Sequence, residues 1–501
     1  MEKIINEIKD VFNLQLAVEE AEERNIEFKI VVKTKDNIIP SINWHRKNII
    51  EKIIIEAVGE STKKTIIYGE LLKDKVAKED IKKLLENNKF HTFGGTYDVA
   101  ALLTEDIYLN IYRDWCTIYK KPLRNLLDTE DVEIAMNNVD FNPVKEELAF
   151  ERGKAFYFGL GIDENMLSKH MNNCTVKMNE HREKILSILG KYMYTEIKND
   201  SEMGHVVEKI IHNGHKLRVL ERVMNNTEVY ENIRDLAYNT FWFKRYKNEL
   251  SVLKSIEKNL IDGTIKLANY NYSCHRQLFG HALNDGIIAK PREGYSLVEI
   301  TSPNQLQFKL MHLLSDNEEE IADYYIYMAS KTLDKRLEDT TLEDKKLFKK
   351  YFFIYMANNF IEDKVEYIKS NFSDYTEEEF YENKHKIFNY LDNMGNTIKQ
   401  DISKLPLELR DTIKTLDSTA NIINPRVINK IDESITNSII LKIQEHFGRD
   451  NFRIRYIGKI FGRTIYEVGN GEVEELLKYI DDSKIEIGNG ILKLNTNKIL
   501  K

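Results

Sequence analysis

Apolar residues recur every three or four positions through most of this chain, the signature of amphipathic helices. From about residue 106 to 450 that period dominates and predicts one large helical body. Several predicted helix starts carry a hydroxyl followed three residues later by a carboxylate, a pairing that satisfies free amide N–H groups. These are Ser315-Asp-Asn-Glu318, Thr341-Leu-Glu-Asp344 and Thr376-Glu-Glu-Glu379. Aromatic side chains then repeat on the helical faces, as in Tyr324, Tyr325 and Tyr327, in Phe348, Tyr351, Phe352, Phe353 and Tyr355, and in Phe380, Tyr381, Phe388 and Tyr390. They predict packing between helices, with a tyrosine-rich oligomer interface as the sharper alternative.

The two ends read differently. Ile4, Ile5, Ile8, Val11, Phe12, Leu14 and Leu16 predict a helix over Met1 to Glu23, and Ile42 to Val58 a second. Glu27–Lys33 and Lys64–Gly69 predict strands by their β-branched runs, and Asp106 to Leu127 returns to helix. At the other end Phe452–Ile457 and Arg463–Val468 alternate as a strand pair, Val473 to Ile480 follows as a short helix, and Lys484–Ile487 with Ile491–Leu494 close as a hairpin across Gly488-Asn-Gly490. The expected fold is therefore mainly α: a large helical body with small α/β segments at both ends. Its domains are expected at 1–105 (small α/β), 106–450 (helical, with a strand-like insertion near 286–302) and 451–501 (β-β-α-β-β).

Composition supports the long helices, because seven prolines in 501 residues leave few breaks. A net charge of −8 excludes a wholly basic nucleic-acid coat and leaves room for a local basic patch. Three widely spaced cysteines, Cys116, Cys174 and Cys274, argue against a disulfide framework and against a four-thiolate zinc site. The charged opening decapeptide lacks a signal-peptide core, and no apolar run is long enough to span a bilayer, so a cytoplasmic chain without membrane contact is expected. Abundant Lys, Ile and Asn point to an AT-rich genome, of the kind found in firmicutes and their phages.

Candidate chemistry is sparse. There is no Walker A loop, GxSxG, HExxH or EF-hand loop, and Gly159-Leu-Gly161 lacks the third glycine of a dinucleotide fingerprint. Tyr479-Ile-Asp-Asp482 spells the YxDD of reverse transcriptases, without an upstream aspartate block. Tyr68-Gly-Glu-Leu71 and Glu293-Gly-Tyr295 resemble fragments of a nucleotidyltransferase or RNA-ligase pattern, without its lysine nucleophile. Histidines cluster at His205, His212 and His215, just after His170, Cys174 and His181. His170 and Cys174 stand four apart on one helical face and could share a metal, so His170, Cys174, His205, His212 and His215 are the candidate ligands. No organic cofactor is expected.

The segment Ser273-Cys-His-Arg276-Gln277-Leu-Phe-Gly-His281 resembles the HEPN superfamily of metal-independent ribonucleases, whose mark is Arg, a polar residue, three more, then His, on a helical bundle. The resemblance implies an active site shared between two copies. There His281 would move the proton of the attacking ribose hydroxyl, Arg276 would hold the scissile phosphate, and Gln277 would take the polar position. Two functions are thus expected from the sequence. One is a non-enzymatic assembly or interaction protein of phage or mobile-element type, acting through self-association or other subunits. The other is a HEPN-like ribonuclease acting on RNA in toxin or antiviral defence.

Overall fold

The computed structural model describes residues 4–10, 27–57, 63–114, 143–195, 220–266, 289–310, 323–356, 377–400 and 425–500, with short interruptions inside these runs. The chain divides into two compact units, the first made of Met1–Phe141, Ala149–Tyr295 and Ile499–Lys501, the second of Asn142–Leu148 and Ser296–Lys498.

The first unit is built on a six-stranded mixed sheet. Its strands are β1 (Ile4–Ile8), β2 (Phe28–Thr34), β3 (Ile50–Ala57), β4 (Lys63–Tyr68), β5 (Phe90–Thr92) and β6 (Ile111–Asp114), in the order β1-β4-β3-β2-β5-β6. β3 runs antiparallel to both β2 and β4, while β1 with β4, β2 with β5 and β5 with β6 are parallel. Ile30, Val31 and Val32 of β2 and Ile50, Ile53, Ile54 and Ile55 of β3 are all buried. Near-continuous apolar runs of this kind suit strands covered on both faces. Lys29 and Glu56 are cross-strand neighbours in that sheet and form a buried ion pair at 3.8 Å.

Three predicted helices in this region are corrected. Ile4–Ile8 is a strand; residues 42–44 form a single 3-10 turn and Ile50–Ala57 a strand; and Ile111–Asp114 is a strand inside the stretch expected as helix from Asp106. In Ile50–Ala57 the isoleucines satisfy helical spacing and strand alternation at once, and their branched Cβ atoms decide for the strand.

Helix α1 (Lys75–Asn87) starts where the Asp74 side chain accepts from the N–H groups of Val76 (2.8 Å) and Ala77 (3.0 Å). Helix α2 (Gly95–Leu103) is buried along most of its length. It is tied to the sheet by its Asp98 carboxylate, which accepts from the Val32 N–H at 2.9 Å. Gly69, just after β4, lies so close to β3 that an added Cβ would sit 1.9 Å from the Ile50 carbonyl oxygen. Gly69→Ala should therefore destabilise the protein by about 2–3 kcal/mol, since only backbone can yield there. Denaturant melts of the two proteins check this.

Beyond the sheet, the first unit continues from Ala149 of helix α3 (Pro143–Phe158) through the short antiparallel pair β7 (Leu160–Gly161) and β8 (Thr264–Ile265) and two long helices, α4 (Glu164–Thr195) and α5 (Glu231–Lys258). His170 of α4 meets Glu249 of α5, and His181 meets Asn239, so the two helices run antiparallel. Ile185, Ile188 and Leu189 pack near the far end against a core of Ile233, Leu236, Ala237 and Phe241.

The second unit joins helices to a smaller sheet. Helices α6 (Tyr324–Thr332), α7 (Leu342–Met356) and α8 (Glu377–Gln400) close over an aromatic core. Phe308 lies 4.8 Å from Phe352 and edge-on to Tyr325 at 5.4 Å, and Tyr355 meets Phe388 at 5.3 Å. Phe348, Tyr351 and Phe352 are fully buried, so these predicted stripes serve packing within the chain. The capping box at α7 is present: the Asp344 N–H donates to Thr341 Oγ1 (3.2 Å), and the Thr341 N–H donates to the Asp344 carboxylate (2.9 Å).

After helix α9 (Pro425–Phe447) come β10 (Ile454–Ile460), β11 (Arg463–Gly469), helix α10 (Val473–Asp482) and the hairpin β12 (Ile485–Ile487) with β13 (Gly490–Leu492). This agrees with the elements expected from the alternation there. The strand expected within 286–302 is β9 (Tyr295–Thr301). It is no isolated insertion: with β14 (Asn495–Leu500) it completes a four-stranded sheet in the order β10-β11-β9-β14. Helix predominates, as expected, but the strands gather into a six-stranded and a four-stranded sheet, so the class is mixed α/β.

Candidate functional site

The expected site residues fall into two groups. Arg276, Gln277, His281, His205, His212 and His215 lie outside the described residues. His170 and Cys174 lie within α4, one turn apart, on the face turned to α5. Nε2 of His170 is 2.8 Å from Glu249 Oε1, and the nitrogen, the Cys174 sulfur and the carboxylate oxygen all lie within 4.8 Å of one another. Among the described residues this is the one group of three or more His, Cys, Asp or Glu side chains close enough to share a metal ion. Burial pushes the Cys174 thiol up to about 11, with the Glu249 charge acting in the same direction. His181 is engaged elsewhere, its Nδ1 at 2.9 Å from Asn239 Oδ1 and its ring stacked on Tyr246. Glu249 was missed from the sequence because its partner His170 stands 79 residues away.

The sheet of the second unit carries two carboxylates, and both are held by arginines. Arg455 Nη1 donates to Glu467 at 3.0 Å with both groups buried, and Arg455 Nε also reaches the Phe452 carbonyl. Arg463 Nη1 donates to Glu299 at 3.3 Å, and burial nonetheless holds the Glu299 carboxyl above its usual range. Lys459 extends to Asp432 and Thr436 on α9.

The remaining motifs have ordinary surroundings. Tyr479-Ile-Asp-Asp482 is the end of helix α10, not a strand turn; Tyr479 donates to the Lys442 carbonyl and stacks on His446 at 4.1 Å. Glu70 of the Tyr68-Gly-Glu-Leu fragment is exposed and paired with Lys73 at 2.6 Å, which lowers its pKa. One buried cation was not anticipated. Lys266, just after β8, donates to the Tyr157 carbonyl at 3.3 Å, close to Arg292, which donates to the Phe158 carbonyl at 2.5 Å. Two cations thus serve the last carbonyls of α3, where the helix dipole favours positive charge.

The fold is similar to that of a DNA polymerase domain. The POL domain of Pol1 from M. smegmatis, solved in complex with DNA primer-template and dNTP, superposes with a TM-score of 0.65 over 99% of both chains, at 12% sequence identity. No protein-family model matches the chain, and no curated protein does.

Two expectations are corrected by this likeness. The HEPN ribonuclease reading required a helical bundle, whereas the fold, with its six-stranded and four-stranded sheets, is similar over its whole length to a polymerase domain. Ten residues with a common Arg-x4-His spacing carry no weight against that. The non-enzymatic assembly protein rested on the lack of a recognisable site in a helical body, and the same likeness overturns it. Among the described residues no helix is long and apolar enough to cross a membrane.

Proposed function

We propose that this chain is a DNA-binding protein of the polymerase class, which seats a primer-template duplex. The observation that carries this reading is the likeness over 99% of both chains to a domain solved with primer-template DNA. The net charge of −8 is compatible with it, because only the groove that tracks the phosphates needs to be basic.

A second reading, template-directed nucleotidyl transfer, is favoured by the dNTP in that same complex. Polymerases carry out that reaction with two divalent cations clamped between oxygen ligands. The sheet carboxylates described here do not fit such a pair. Glu299 and Glu467 are each committed to an arginine, and among the described residues no three carboxylates lie close enough together to share a metal ion.

Fluorescence anisotropy with a labelled primer-template, a blunt duplex and a single strand tests the first reading. Binding should be tightest for the primer-template and fall by on the order of a thousandfold between about 50 and 200 mM salt. No binding at low salt, or equal binding to all three, overturns it. Primer extension with dNTPs and Mg2+ or Mn2+ tests the second: a lengthened primer supports it, and DNA binding without extension leaves the first reading standing alone.

A further inference from the structure

We propose that His170, Cys174 and Glu249 form a binding site for one zinc-class metal ion, linking the two long antiparallel helices of the first unit.

The donor set is the first argument. An imidazole nitrogen, a thiolate sulfur and a carboxylate oxygen are the three ligand types that zinc takes, and a hard cation such as magnesium or calcium would not choose a thiol. Placement is the second. Residues four apart on a helix stand one above the other, so the backbone of α4 already aims His170 and Cys174 to one side. Helix α5 supplies Glu249 from across the interface. The three donor atoms lie within 4.8 Å of one another. Bond lengths of about 2.0–2.3 Å in a tetrahedral site put ligand atoms roughly 3.3–3.8 Å apart. To hold an ion, the His170–Glu249 pair, now hydrogen-bonded at 2.8 Å, opens by about 0.5 Å and the thiol approaches by up to about 1 Å, shifts of the size that side-chain rotation supplies. His170 and Glu249 keep part of their surface exposed, while Cys174 is buried at the base. An ion can thus enter from solvent and retain a water as its fourth ligand.

The surroundings are consistent with this role. Lys177, one turn beyond Cys174, is the cation that acts on its thiol, and its ammonium lies over the Tyr246 ring at 5.6 Å. His181 is fixed by Asn239 and is not available as a fourth ligand. On binding, the Cys174 thiol gives up its proton to solvent and its sulfur forms the metal bond; no oxidation or reduction is involved. The site needs no DNA and does not depend on the reading of function above.

Cobalt(II) titration of the full-length protein, reduced and stripped of metal by a chelator, tests the proposal. Cobalt reports a thiolate ligand by a charge-transfer band in the near ultraviolet. One equivalent should bind with that band, and zinc should displace it. Cys174→Ala should abolish the band, and Glu249→Gln and His170→Gln should each weaken binding by about tenfold or more. Circular dichroism checks that each variant is folded. Glu249→Gln, at a partly exposed position, keeps the test intact if the buried cysteine variant fails to fold. Absence of the band, or affinity unchanged in both Glu249→Gln and His170→Gln, overturns the proposal. So does a band that persists in Cys174→Ala, which would place the metal on Cys116 or Cys274.

Discussion

Glu467→Ala should cost about 3–5 kcal/mol of folding stability, because it leaves the Arg455 guanidinium buried without its counter-charge. Arg455 is 8% exposed and Glu467 1%, and the two face each other across the β10–β11 ladder at 3.0 Å. In a site this dry the attraction between the partners mainly offsets the cost of removing both from water. Deleting one removes the offset and keeps the cost. The paired replacement Arg455→Met with Glu467→Leu should recover most of the loss, since apolar groups of similar volume need no counter-charge. Urea melts of the three proteins check both statements. A Glu467→Ala loss below about 1 kcal/mol, within the range of an exposed pair, would show that water reaches the guanidinium.

That pair also bears on what the sheet can do. A carboxylate that accepts from a buried arginine has its charge and lone pairs engaged, and a metal ion would have to displace the arginine to reach it. Glu299 with Arg463 repeats the arrangement at a more open position, where Arg463 is 37% exposed.

The parts of the fold legible in the sequence are those with a single satisfactory reading. β10, β11 and the closing hairpin alternate cleanly, α10 keeps a helical period, glycine-bearing turns stand between them, and the structure has them where the pattern places them. Thr341 and Asp344 read as a capping box because few other arrangements use that spacing. The six-stranded sheet was only half legible. Its interior strands are isoleucine runs such as Ile53-Ile-Ile55, apolar on both faces, so they lack the alternation that separates a half-buried strand from a helix. The candidate metal site was legible on one helix only. His170 and Cys174 declare themselves by spacing, but nothing local to Glu249 announces that α5 returns antiparallel and delivers it there. The likeness to a polymerase domain was not legible at all. At 12% identity the shared feature is the path of the chain, which short motifs do not record.

Lys266→Met should stabilise the protein by about 2–3 kcal/mol near pH 6 and destabilise it by about 1–2 kcal/mol near pH 10, where the wild-type amine is nearly uncharged and keeps its bond to the Tyr157 carbonyl. Burial pushes the Lys266 ammonium down to about 7, with the neighbouring Arg292 charge acting in the same direction and Asp262 partly opposing. The folded protein thus releases this proton near neutrality, while the unfolded chain keeps it until about 10.5. Between those values the unfolded state binds more protons, so the wild type gains stability as pH rises through that window. Below the window the cost of the buried ammonium is present in full, of order 5 kcal/mol as an upper bound. Methionine fills similar volume without charge and removes that cost. It also forfeits the bond to the Tyr157 carbonyl and the favourable position at the end of α3, which is why the expected gain is smaller than the bound. Arg292 remains at Phe158 and still serves the helix end in the variant. Guanidinium melts of both proteins at pH 6 and pH 10 decide the matter. A variant less stable than wild type at pH 6, or a difference that does not change with pH, would mean that the ammonium is satisfied where it stands.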